Sequence, residues 1–198
     1  PLLVHPDIRR MLLRAKALID SSRMLSAWTA LAIDKSVKDP DEKVRKANHD
    51  LVELMTPIIK SILTDYGVEI SSEMLQIFGG HGYIREYGME QFYRDARIAP
   101  IWEGTNGIQA MDLAGRKMPQ GMGRLLRRFF HPALAFIEDN RGDENLMEFV
   151  IPFEKALKGL QKTSMFMAQK GLSNPYEIGA AASDYMKQFG LVSMGYMW

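Results

Sequence analysis

The sequence predicts an all-α fold, an antiparallel helical bundle with a helical extension packed on it, from three observations. Apolar residues recur at spacings of three and four along most of the chain, no alternating strand pattern exceeds a few residues, and proline and glycine fall between the periodic stretches.

The first helix is predicted to start at Pro6-Asp7, because proline tolerates a first turn and a carboxylate favours its positive end. It carries one apolar face through Met11, Leu12, Ala15, Leu18, Ile19, Leu25, Trp28, Leu31 and Ala32. Asp39-Pro40-Asp41 breaks that pattern, and a second helix follows through Val44, Leu51, Leu54 and Met55. Thr56-Pro57 reads as the cap and first residue of a third helix running through Ile58 and Ile62 to Phe78, since an interior proline breaks the hydrogen-bond ladder. Gly79-Gly80-His81-Gly82 ends it. A shorter helix carries Phe92 to Arg97, Pro100 punctuates, and another begins near Thr105 and runs through Ile108, Met111 and Leu113. Pro119-Gln120-Gly121-Met122-Gly123 marks a boundary, followed by helices over about 122–139, 143–171 and 175–197.

With 46% hydrophobic and 25% charged residues, the 198-residue chain suits one compact domain or two small ones and not a disordered segment. Its 25 basic and 24 acidic residues supply no global field to draw in nucleic acid or an anionic membrane, so neither is expected as a partner. The absence of cysteine excludes a disulfide scaffold, a thiolate metal site and a cysteine nucleophile, and fits a reducing cytoplasm. No apolar run reaches the roughly 18 residues of a membrane span, and the first residues lack a signal-peptide pattern, so a soluble protein is expected. The opening at Pro1 and the apolar ending Met194 to Trp198 give the expectation that both ends are cut from something longer.

The four histidines show no metal-ligand spacing, so no metal site is expected, and His5 and His131, each before a proline, read as helix-boundary residues. No nucleophile elbow and no phosphate loop of the GxxxxGK type occurs. Gln76 to Tyr83 reads either as a helix ending in a flexible turn or as bare backbone that a cofactor can approach. Tyr93 to Arg97 reads as a salt-bridged helix surface. In Trp102-Glu103-Gly104-Thr105, Glu103 is open to two readings. It is a base whose proton affinity is raised where Trp102 and neighbouring Met or Phe side chains exclude water, or a first-turn glutamate favouring a helix dipole.

Three blocks in order, Gln76-Ile77-Phe78-Gly79-Gly80-His81-Gly82-Tyr83, Tyr93-Arg94-Asp95-Ala96-Arg97-Ile98 and Trp102-Glu103-Gly104-Thr105-Asn106-Gly107-Ile108-Gln109, resemble the C-terminal signature of acyl-CoA dehydrogenases. The resemblance covers residues 1–118 and implies the four-helix C-terminal domain that the family uses to bind flavin and to form dimers or tetramers. It implies α,β-dehydrogenation of an acyl-CoA thioester, with Glu103 as the base and FAD as the hydride acceptor. It further implies that the Glu103 backbone N–H helps to polarise the thioester carbonyl, as an oxyanion hole does. Carried over residue by residue, Gln76, Gly79 and Gly80 approach the FAD of a neighbouring subunit, and Thr105, Asn106 and Gln109 contact FAD near the base. Trp102, where the family usually has tyrosine, and Gly104 border the substrate. An electron-transfer flavoprotein is the implied electron acceptor.

The family's N-terminal helical domain and middle β-domain have no counterpart in these 198 residues, so the chain alone is expected to be inactive. Residues 119–198 resemble the extra helical region of a large-chain subgroup that includes methylthio-propanoyl-CoA dehydrogenases, with its last helices expected to be missing. Two alternatives of other classes are a helical oligomerisation module and a non-catalytic relative that binds nucleic acid through Arg124, Arg127 and Arg128.

Overall fold

A computed structural model describes residues 1–198 as seven helices with no strand. Helix α1 spans Pro6–Lys38 and α2 spans Glu42–Ile77; the short turn between them makes the pair antiparallel. Asp41 caps α2 by accepting from the Lys43 N–H at 2.8 Å, and Arg45 returns to the Asp39 carbonyl at 2.7 Å. At the opposite end of the hairpin, Arg14 pairs with Glu69 and, at 3.1 Å, with Glu73. The predicted apolar face of α1 is covered only in part. Ala15, Leu25 and Ala32 are buried, whereas Ile19 and Leu31 face outward.

The expected break at Thr56-Pro57 does not occur. Pro57 lies buried inside a continuous 36-residue α2, and Thr56 does not cap anything, because its hydroxyl donates to the Val52 carbonyl at 2.7 Å. An interior proline costs about 3 kcal/mol. That cost is offset where Leu54, Met55, Ile58 and Ile62, on both sides of it, are fully buried, each such side chain contributing about 1.5–3 kcal/mol. His131 corrects in the same way: it lies within α5, Arg124–Asn140, rather than at a boundary, with Phe129, Phe130 and Ala133 packing on either side of Pro132. His5 does precede α1 as expected.

Helix α3, Met89–Ile98, and α4, Asn106–Met111, both pack on α2. Helix α4 continues as one wider π-helical turn, Asp112–Lys117, closed by the Met118 N–H on the Leu113 carbonyl at 2.9 Å. The turn swings Lys117 inward, where its ammonium donates to Glu53 on α2 at 2.7 Å.

Helices α6, Met147–Ser173, and α7, Pro175–Met197, form a hairpin capped by the Asn174 side chain, which accepts from the Tyr176 N–H at 3.1 Å. Helix α7 returns to pack against α1, α2 and α4, so one cluster of 28 buried residues runs from Leu25 on α1 to Met194 on α7. Its densest part is aromatic: Phe129 lies 5.1 Å from Phe189, and Phe153 stacks on Tyr196 at 5.5 Å. Gly190 makes the α2–α7 approach possible, since a Cβ there would stand 2.2 Å from Ile62. No helix is long and apolar enough to cross a membrane.

Candidate functional site

The chain between α3 and α4 reverses over two residues in the left-handed region, Glu103 at φ +52° and Gly104 at φ +86°. Glycine adopts that conformation freely, but a non-glycine residue there is strained and persists only where its surroundings hold it. The loop is held from both sides. The Asn106 N–H donates to the Pro100 carbonyl at 3.1 Å, and the Thr105 hydroxyl accepts from the Ile108 N–H at 3.3 Å, capping α4. Glu103 therefore precedes the cap and lies outside the helix, which removes its reading as a first-turn dipole residue.

The Asn106 side chain fixes this loop to α2. Its amide donates to Asp65 Oδ1 at 2.7 Å, Thr64 Oγ1 at 2.9 Å and the Ser61 carbonyl at 3.1 Å. Its oxygen accepts from Lys60 Nζ at 2.8 Å. Lys60, Ser61, Thr64 and Asp65 form one polar stripe on α2, at the helical spacing of one face, inside an otherwise apolar run. Those polar residues were visible in the sequence, although their partner was not. Gln109 folds back over the loop, with its Nε2 so close to Gly104 that a Cβ on residue 104 would meet it at 2.5 Å.

Glu103, Gly104, Thr105, Asn106 and Gln109 are thus brought into one unit, with Trp102 beside them. The expected dry shell is not formed by these residues: Trp102 is 58% exposed and the Glu103 side chain faces solvent. Local sequence placed an indole next to the carboxylate, but both residues lie on an exposed loop, so adjacency gave no burial.

Gln76, Gly79 and Gly80 form a second, separate unit at the end of α2. Gln76 stands eleven residues beyond Asp65 on α2, about 17 Å at about 1.5 Å per residue. Gly79 turns the chain at φ +59°, and a Cβ on Gly79 or Gly80 would meet nothing within 4 Å, so bare backbone is exposed there. Gly82 serves packing instead, because its Cβ would stand 2.6 Å from the Leu75 carbonyl oxygen.

The Arg124 to Arg128 cluster is largely consumed within the fold. Arg124 and Arg128 both reach the buried Asp50 on α2 at 3.2 Å, and Arg127 donates to the Met122 carbonyl at 2.8 Å. His49, Asp50 and Glu53 offer ligand atoms within 4.8 Å of one another, but both carboxylates are already bridged by Arg124, Arg128 and Lys117. The Lys117 hydrogen bond also holds the Glu53 carboxyl below the usual carboxylate range.

Comparison with known proteins decides the family. The sequence profile described as acyl-CoA dehydrogenase, C-terminal domain, matches residues 1–118, more than half of the chain. The chain belongs to the acyl-CoA dehydrogenase family. A second profile, acetyl-CoA dehydrogenase C-terminal like, matches residues 129–198. Among relatives, 3-methylmercaptopropionyl-CoA dehydrogenase of Ruegeria pomeroyi is 46% identical over 129 residues, 65% of this chain and 22% of that protein. The broad-specificity linear acyl-CoA dehydrogenase FadE5 of Mycobacterium tuberculosis is 28% identical over 98% of this chain and 33% of its own length. Caenorhabditis elegans ACDH-11, solved in complex with C11-CoA, superposes over 98% of this chain and 32% of its own with a TM-score of 0.82 at 23% identity, a likeness of fold. The chain spans between about a fifth and a third of the length of these acyl-CoA dehydrogenases.

Proposed function

We propose that this chain carries the catalytic base and part of the flavin site of an FAD-dependent acyl-CoA dehydrogenase. The supporting observation is the strained, solvent-facing Glu103, presented by a loop that Asn106 ties to α2 and Gln109 covers. In this reading the Glu103 carboxylate removes the α-proton of an acyl-CoA thioester, a positioned general base being worth about 10² to 10⁴ in rate. The Glu103 backbone N–H donates toward the thioester carbonyl oxygen and stabilises the charge that gathers there as the proton leaves. Trp102 and Gly104 border the acyl group.

Bound FAD supplies the flavin that accepts the hydride from the β-carbon. The residues fit such a cofactor. Gln76 is exposed beside the open backbone of Gly79 and Gly80, as close approach of a phosphate-bearing molecule requires. Thr105 and Gln109 border the base loop. Asn106 acts in this reading by holding the loop, because its amide is already taken by α2. The family resemblance implies that Gln76 to Gly80 serves the FAD of a neighbouring subunit, and so the proposal includes a homodimer or tetramer. Residues 1–118 and 119–198 stand as its two sequence regions, an electron-transfer flavoprotein as its acceptor, and a cytoplasmic setting completes the proposal.

The nucleic-acid alternative rested on the Arg124 to Arg128 cluster, and two of its three guanidinium groups are committed to Asp50. Reduction of bound flavin by acyl-CoA in the full-length protein, and its loss in Glu103→Gln, tests the proposal. A Glu103→Gln protein that still reduces flavin at the native rate would overturn it.

A further inference from the structure

A cavity of about 900 Å³ lies away from the Glu103 loop, between the π-helical turn, the Pro119–Gly123 loop and helices α5, α6 and α7. Its first lining residue, Gly115, stands nine residues beyond Asn106, about 14 Å along the helix. The walls are apolar and adaptable, built from Met118, Leu126, Phe130 and Met165 among others. Its rim exposes large apolar side chains that nothing in this chain covers, Met122 at 91% and Leu172 at 92%.

The floor offers no unfilled polar group at its hydroxyls. Ser164 donates to the Leu160 carbonyl at 2.8 Å and is joined to the buried Tyr185 hydroxyl at 2.7 Å. At the base, α6 and α7 meet where Gly171 touches Ile178, too closely for any Cβ. Gln161 is the remaining polar side chain on the wall apart from Arg127.

Arg127 is the sole charged residue of the lining, which contains no carboxylate. Its Nη1 donates to the Met122 carbonyl, fixing the guanidinium at the rim, and no carboxylate pairs with it, unlike Arg124 and Arg128 beside it. An apolar cavity of this size with one unneutralised cation at its mouth is complementary to an amphipathic anion.

We propose that this cavity binds a free fatty carboxylate, with the alkyl chain between α5, α6 and α7 and the carboxylate paired with Arg127. The site is separate from the acyl-CoA site at Glu103 and does not depend on that reading.

The experiment is isothermal titration of the full-length protein with dodecanoate, and with 1-dodecanol as a headless control. Saturable one-site binding of dodecanoate is expected. Ala168→Trp, which fills the cavity from an exposed position, should weaken both ligands by about tenfold or more. Arg127→Gln should weaken dodecanoate about tenfold, the scale of one charge-assisted pair, and leave dodecanol unchanged. Acyl-CoA turnover should be unaffected in both variants, and saturating acyl-CoA should not displace dodecanoate. Met165→Glu, on the exposed rim, gives a second reading should the tryptophan variant misfold, and should weaken dodecanoate by placing a carboxylate beside it. A photoreactive dodecanoate should label the α5–α6 peptides. Absence of saturable binding, full binding in the cavity variants, an equal effect of Arg127→Gln on the alcohol, labelling elsewhere, or displacement by acyl-CoA would each overturn the proposal.

Discussion

Replacing Asn106 with alanine is expected to destabilise the chain by about 2–3 kcal/mol, which separates a loop-holding role from a cofactor contact. The amide makes charge-assisted bonds to Asp65 at 2.7 Å and from Lys60 at 2.8 Å, and neutral ones to Thr64 and Ser61. Charge-assisted bonds contribute about 1.5–3 kcal/mol each and neutral ones about 1, before discounting for the partial exposure of this site and the pairing open to Lys60 and Asp65 once they are released. With a urea dependence of about 2 kcal/mol per molar, the unfolding midpoint of the 198-residue chain should fall by about 1 M. Asn106→Asp should be no better. It keeps the acceptor for Lys60 but sets a carboxylate against Asp65, where the native amide donated. A midpoint shift under about 0.3 M in flavin-free protein would refute the loop-holding role.

Gly104→Ala should leave the fold nearly intact, costing about 1 kcal/mol for its φ of +86°, while lowering turnover more than substrate affinity by displacing Gln109 and the base loop; steady-state kinetics on the full-length protein separates the two. Gly190→Ala should cost about 1–3 kcal/mol, read as a lowered melting temperature, because its methyl must displace Ile62, which is itself fully buried. Tyr185, raised to about 12 by burial, keeps its proton in the folded state at pH values where the unfolded chain, titrating near 10, has released it. That contribution is fully present below pH 10 and is lost as pH rises to 12, up to about 2.7 kcal/mol for two pH units. Tyr185→Phe should therefore flatten the alkaline fall in stability, and an unchanged slope between pH 10 and 12 would count against the burial argument.

The helices were legible wherever a local signal was also the deciding one. Pro6-Asp7 opens α1, Asp39-Pro40-Asp41 separates α1 from α2, Gly79 ends α2, and the last helix covers the expected 175–197. Pro57 and Pro132 misled because a local ladder defect competes with burial on both sides of it, and burial is decided by partners remote in sequence. The Glu103 block was conspicuous as a motif. Its left-handed backbone, its exposure and its tie to the α2 polar stripe depend on contacts across more than 40 positions, and no local pattern encodes them. The basic run at Arg124 to Arg128 offers a nucleic-acid-binding face in the sequence, because nothing near it announces the buried Asp50.

Anaerobic addition of acyl-CoA thioesters to the full-length protein, followed in the long-wavelength flavin absorbance, tests the central claim most directly. Glu103 as base predicts bleaching by at least one acyl-CoA in the native protein, with flavin retained but unbleached in Glu103→Gln. Flavin that no acyl-CoA reduces, or that Glu103→Gln reduces equally well, would contradict it.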